Sequence, residues 1–174
     1  MNINAEIFAG AVELIKQRRA VTSLLVPGYL GVDSSPEVFR LLPRSVFLGN
    51  DHDYLSMSID DETDQLLVGA TAEPFFPASL LEEPTIRPGL ADLSIYYLKE
   101  MRPVELDTVS FYTDEDSDPT VNRFRAVLFY TDNSRALLID PYWPFGIKIG
   151  NEHDAAELRE EASQVTDITK ISLR

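Results

Sequence analysis

Apolar residues change their period twice along this chain. From Ile3 to Arg19, the residues Ile3, Ile7, Ala11, Leu14 and Ile15 recur at helical spacing, with Glu6, Glu13 and Lys16 between them. That is the pattern of an amphipathic helix, with Asn4 as its expected N-cap. Leu24 to Gly31 carries Pro27, Gly28 and Gly31 and reads as loop. Ser35 followed by Pro36 reads as the cap and first position of a second short helix that runs to Leu42 and stops at Pro43.

The period then drops to two. Tyr54 to Asp60 alternates, with Leu55, Met57 and Ile59 on one face and Tyr54, Ser56, Ser58 and Asp60 on the other. Asp61 to Asp64 is a polar connection, and Leu66 to Ala70 is the expected partner of a hairpin. Glu73 to Gly89, with Pro74, Pro77, Pro84 and Pro88, reads as a long irregular crossing whose Phe75, Phe76, Leu80 and Leu81 need cover. Leu90 to Met101 fits helix and strand equally poorly. Strands return at Leu106–Thr113 and Arg123–Thr131. The second of these is apolar on both faces, which predicts a central strand. Asp132-Asn133 makes a turn, Ser134–Asp140 returns, and Phe145–Ile149 adds a further strand. Asn151–Gln164 reads as a Glu-rich helix and Asp167–Leu173 as a closing strand.

These elements predict an α+β fold: one antiparallel meander of about six or seven strands, with an N-terminal and a C-terminal helix packed on it. The segments 45–70 and 106–140 share the order strand, acidic loop, strand, turn, strand. That order fits either two similar halves or an ordinary meander, within one domain spanning 1–174.

Composition narrows the functions. A chain of 174 residues buries roughly 70% of its unfolded surface and so needs no metal or disulfide for stability. There is no cysteine, which excludes disulfides, thiolate metal sites and cysteine nucleophiles. Near the N-terminus, Glu6 and Glu13 interrupt the apolar residues, and Lys16, Arg18 and Arg19 follow them, the reverse of a secretory signal. No apolar run has the length of a membrane span. The expectation is a soluble cytoplasmic protein. The net charge of −14 repels nucleic acid and anionic membrane and attracts basic proteins.

Chemistry-bearing motifs are sparse. Asp114, Asp116 and Asp118 alternate as in a calcium-binding loop, but Pro119 replaces the turn glycine and Arg125 the closing glutamate. Asp51-His52-Asp53 sets a histidine between carboxylates, a candidate general base or metal ligand. The only other histidine, His153, lies between Glu152 and Asp154 and lacks the second helical histidine of zinc proteases. No G-x-S-x-G elbow and no phosphate loop occurs. Arg123 and Arg125 share a strand face, within reach of the preceding acidic loop for pairing. The most distinctive stretch is Pro141-Tyr142-Trp143-Pro144-Phe145-Gly146, which holds the only tryptophan between two prolines. It reads either as a rigid aromatic hot spot or as a plug for the sheet core.

Three functional readings follow. The first is an acidic protein-binding domain for a basic partner, using Asp51, Asp53, Asp61, Glu62, Asp64, Asp114, Glu115, Asp116, Asp118, Tyr142, Trp143 and Phe145, and no cofactor. In size, charge and lack of catalytic motif it resembles, as a class, the bacterial immunity proteins that neutralise nuclease toxins. Its acidic segments 51–64 and 105–118 contain no Lys or Arg. The second is a metal-assisted hydrolase built on Asp51, His52 and Asp53, joined by Asp114 or Asp116. The third is a structural subunit of a larger assembly.

Overall fold

The computed structural model describes residues 3–17, 20–32, 36–50, 52–98, 103–161 and 165–173. In chain order the elements are α1 (Ile3–Gln17), β1 (Ala20–Val21), β2 (Ser23–Gly31), β3 (Phe39–Leu41), β4 (Ser45–Asn50), β5 (Asp53–Ile59), β6 (Leu66–Thr71), α2 (Ala78–Leu81), β7 (Ile86–Asp92), α3 (Ser94–Tyr97) and β8 (Val104–Thr113). A 3-10 turn (Pro119–Val121) follows. The chain then continues through β9 (Arg123–Phe124), β10 (Ala126–Thr131), β11 (Ala136–Trp143), β12 (Gly146–Gly150), α4 (Glu152–Glu161) and β13 (Thr166–Ser172).

The fold is mostly antiparallel sheet with a helix near each end, as the patterning predicts, but the strands form two sheets rather than one meander. The first has the order β1-β8-β10-β11-β12, with β13 also pairing β8. The second has the order β3-β2-β4-β5-β6-β9, with β7 along β2. The segments 45–70 and 106–140 fall in different sheets, apart from β9.

One core joins the sheets. From the second sheet it takes Leu24, Val46, Leu55, Met57, Leu66 and Val68, and from the first Val109, Phe111, Val127, Phe129, Leu137 and Ile139. Ala11 and Ile15 of α1 are buried in the same core. On the opposite face of the first sheet, Tyr112, Ala126, Leu128 and Leu138 pack with Ala155 and Leu158 of α4. The first sheet therefore has both faces covered. This is why β10, between β8 and β11, is apolar on both sides.

Four sequence expectations are corrected. Leu24–Gly31 is strand, not loop. β2 changes partner on one side from β4, ending at Leu25↔Phe47, to β3, beginning at Gly28↔Leu41. Pro27 sits at that gap, where its missing N–H costs no ladder bond, and its carbonyl accepts from Leu42 N–H at 2.8 Å. Gly28 is required there because a Cβ would stand 2.4 Å from the Arg40 carbonyl oxygen. The expected helix from Pro36 to Leu42 is instead irregular chain leading into β3, with Ser35 outside the described residues. The Pro-rich crossing and the ambiguous segment after it contain α2, β7 and α3; residues 99–102 lie outside the described residues. Asn4 falls inside α1, after its first residue, so it is not the cap.

The predicted C-terminal helix is present as α4, opened by a reciprocal cap. The Asn151 side chain accepts from His153 N–H at 2.8 Å, and Asp154 accepts from Asn151 N–H at 2.8 Å. Lys148 Nζ lies 2.6 Å from the same Asp154 carboxylate. Burial pushes the Asp154 carboxyl up, but the hydrogen bonds from Lys148 and the Asn151 N–H outweigh it and hold it below the usual aspartate range. A depressed folded pKa contributes stability above the unfolded value, near 4, that is lost as pH falls through the folded value. Asp154→Asn is therefore expected to cost about 1 kcal/mol at pH 7. The gap to the parent protein, read from urea midpoints, should close as pH drops below about 4.

Candidate functional site: an acidic cleft beside an aromatic turn

Arg123 to Thr131, predicted as one strand, is broken at Arg125. Phe124 pairs with Leu66 in the second sheet, whereas Ala126 pairs with Tyr112 in the first. The chain thus crosses between sheets at Arg125, whose N–H donates to the Tyr112 carbonyl at 2.8 Å. The side chain of Arg125 is left inside the molecule, 7% exposed. Its Nη1 donates to Asp140 Oδ1 at 2.5 Å, and its Nε lies 3.8 Å from Asp114 Oδ2. Buried charge is tolerated only when paired and hydrogen-bonded, and Asp114 meets that condition. Gln65, fully buried, donates from Nε2 to both Asp114 oxygens at 3.1 and 3.2 Å. Ser117 Oγ stands 2.9 Å from both Gln65 Oε1 and Asp114 Oδ1.

This network shapes two turns at once. Asp114 opens the acidic turn that follows β8, and Asp140 precedes the aromatic turn. The acidic turn after β5 is fixed by the neighbouring arginine: Arg123 Nε lies 3.0 Å from Asp60 Oδ2, and Thr63 Oγ1 donates to the same oxygen at 2.9 Å. Asp64 closes that turn with φ of 55°, a left-handed conformation that aspartate tolerates better than most residues. Gly146 has φ of 122° and lies against Pro43, where a Cβ would come within 2.5 Å of the carbonyl oxygen. Only glycine closes the aromatic turn in this way.

The three turns converge on one open cleft of about 530 Å³, lined by Arg44, Asp64, Asp116, Pro141, Pro144 and Gly146 among others. Asp61, Glu62, Asp64, Glu115 and Asp116 are all exposed. Arg44, on the rim, pairs with Asp61. Phe145 is 72% exposed. The side chains of Tyr142 and Trp143 lie outside the described residues; their main chain belongs to β11.

The other candidates are placed as follows. Asp114 faces inward and serves Arg125. Asp118 accepts from the side chain and the N–H of Thr120, which hold its carboxyl below the usual range. Asp51 lies outside the described residues, while exposed His52 and half-buried Asp53 sit at the end of β5 opposite the acidic turn. His153 pairs with Glu157 at 3.2 Å on the surface of α4. Among the described residues no group of three or more His, Asp or Glu side chains is arranged to hold a metal ion. No helix among them is long and apolar enough to cross a membrane.

Sequence reasoning missed Gln65, Asp140 and Arg44, and named Gly146 only as the end of the aromatic stretch. The alternating register of β11 gave no sign that Asp140 turns to a buried partner. The reach from the acidic loop to an arginine on the following strand was readable, and Asp114–Arg125 is that pair. No protein family, curated protein or solved structure matches the chain.

Removing one member of a buried charge network strands the others. Arg125→Ala is expected to lower stability by about 3–5 kcal/mol in urea denaturation followed by circular dichroism. The triple variant Arg125→Met, Asp114→Asn, Asp140→Asn should regain most of that loss.

Proposed function

We propose that the protein is an acidic protein-binding domain, working as one unit over 1–174 in the cytoplasm, that captures a basic partner at the cleft between its acidic and aromatic turns. The observation that carries this reading is the convergence itself. Thr63 and Asp64, Asp116, and Pro144 and Gly146 come from three separate turns, yet they line one cleft. Carboxylates on a rim speed association with a cationic surface, and a central aromatic residue slows release. Phe145, exposed between the cleft-lining Pro144 and Gly146, supplies the apolar anchor, and the charge of −14 supplies the steering field. The pattern fits an antagonist that masks a basic protein, the role of immunity proteins as a class.

The test is capture of the partner from host lysate at low and moderate salt, repeated with variants. Asp64→Asn with Asp116→Lys, which keeps the left-handed turn, is expected to slow association and to flatten its salt dependence. Phe145→Ala should weaken binding about tenfold or more, mainly through faster release. His52→Ala should bind as the parent does. Binding that survives both cleft variants sinks the proposal, and loss of function in His52→Ala alone would favour the hydrolase reading built on Asp51, His52 and Asp53.

A further inference from the structure

A second feature lies beyond the Pro43–Ile147 contact that bounds the acidic cleft. Arg44 and Gly146 line the cleft on one side of that contact; Pro43 and Ile147 line an apolar groove on the other. This groove, of about 360 Å³, shares Tyr97 and Ile149 with a cavity of about 560 Å³ that ends at the start of α4. One wall is α3 with Leu93, and there Ile95 is 65%, Tyr96 69% and Tyr97 37% exposed; Leu41, at the Pro43 end, is 45% exposed. The opposite wall is β12, the last strand of its sheet, paired only with β11 among the described residues.

The main chain of β12 decides what such a groove suits. Lys148 faces Asp140 in the ladder with β11. Ile147 N–H points the other way and donates to the Pro43 carbonyl at 2.6 Å. Hydrogen-bonding direction repeats every second residue of a strand, so the N–H and C=O of Ile149 also point away from β11, toward the groove. An open strand edge beside exposed apolar side chains is the geometry of strand addition, in which main-chain bonds bind an extended segment and alternate side chains enter the apolar wall.

Charge selects the occupant. At the α4 end, Lys148 is neutralised by Asp154 and the Arg135 guanidinium donates to the Leu98 carbonyl at 3.0 Å. Glu152 there is exposed, and nearby Glu157 pairs with His153 and also acts on Lys148. A second copy of the chain would bring another charge of −14 to this acidic surface. We propose that the groove along the outer edge of β12 binds an extended apolar segment of a partner protein, added as a strand beside Ile149 with a basic residue toward Glu152. The site is separate from the acidic cleft and does not depend on the reading given for it.

The probe is a synthetic acetylated hexapeptide of alternating valine and threonine ending in arginine, titrated into the full isotope-labelled chain. Expected are amide shifts centred on Ile149 and Tyr97, and exchange of the Ile149 amide slowed about tenfold or more at saturation. N-methylating the peptide along one edge should abolish binding, and along the other edge leave it intact. Glutamate in place of arginine should weaken binding about fivefold, and Tyr97→Ser, at an exposed position that leaves the core untouched, should weaken it by a similar factor. The proposal is overturned by no shifts up to about 1 mM peptide. It is equally overturned by shifts confined to the acidic cleft, by indifference to N-methylation on both edges, or by unchanged affinity in Tyr97→Ser.

Discussion

The arrangement turns on the crossing at Arg125. A strand that leaves one sheet and enters the other must carry one residue through the seam between them. Here that residue is charged, with Phe124 paired in one sheet and Ala126 in the other. Backbone bonding fixes the crossing, and the buried guanidinium then recruits its partners from wherever the chain brings carboxylates near. Asp114 comes from the loop before the crossing and Asp140 from the strand after it. Because each of these aspartates also begins or precedes a turn, the network that neutralises Arg125 fixes the walls of the cleft.

The same division separates structural from available charge. Asp60, Asp114, Asp140 and Asp154 are tied to Arg123, Arg125, Arg125 and Lys148. The exposed carboxylates of Asp64, Glu115 and Asp116 stand next to them, held in place by turns whose inward residues are already satisfied. A preorganised rim costs less ordering on association than a flexible acidic tail would. The acidic surface is thus presented by a scaffold whose turns are held by ion pairs.

Much of the strand content was legible because alternation marks a strand with one wet face. β5 and β8 were read by that rule, β6 as the hairpin partner of β5, β10 from apolar residues on both faces, and α4 as a Glu-rich helix. β2 was missed because Pro27 and Gly28 are loop formers by local rule. Only the switch of partner from β4 to β3 shows why one needs no donor and the other no side chain. The split of β9 from β10 had no local signal at all, since both halves carry the same β-rich composition and differ only in which sheet they join. With that split hidden, two sheets read as one meander. The cleft was half visible: its acidic and aromatic stretches stood out one by one. Their meeting depends on Gln65, Arg125 and Asp140, which carry no motif.

The central claim is that the acidic and aromatic turns form the face that meets a basic partner. Zero-length carbodiimide cross-linking of the captured complex tests it directly, because it joins only carboxylates in contact with partner lysines. The account predicts cross-links concentrated at Asp64, Glu115 and Asp116, with Asp61 and Glu62 at the margin. Cross-links confined to Asp53 or to Glu160 and Glu161, with the cleft residues unmodified, would contradict it.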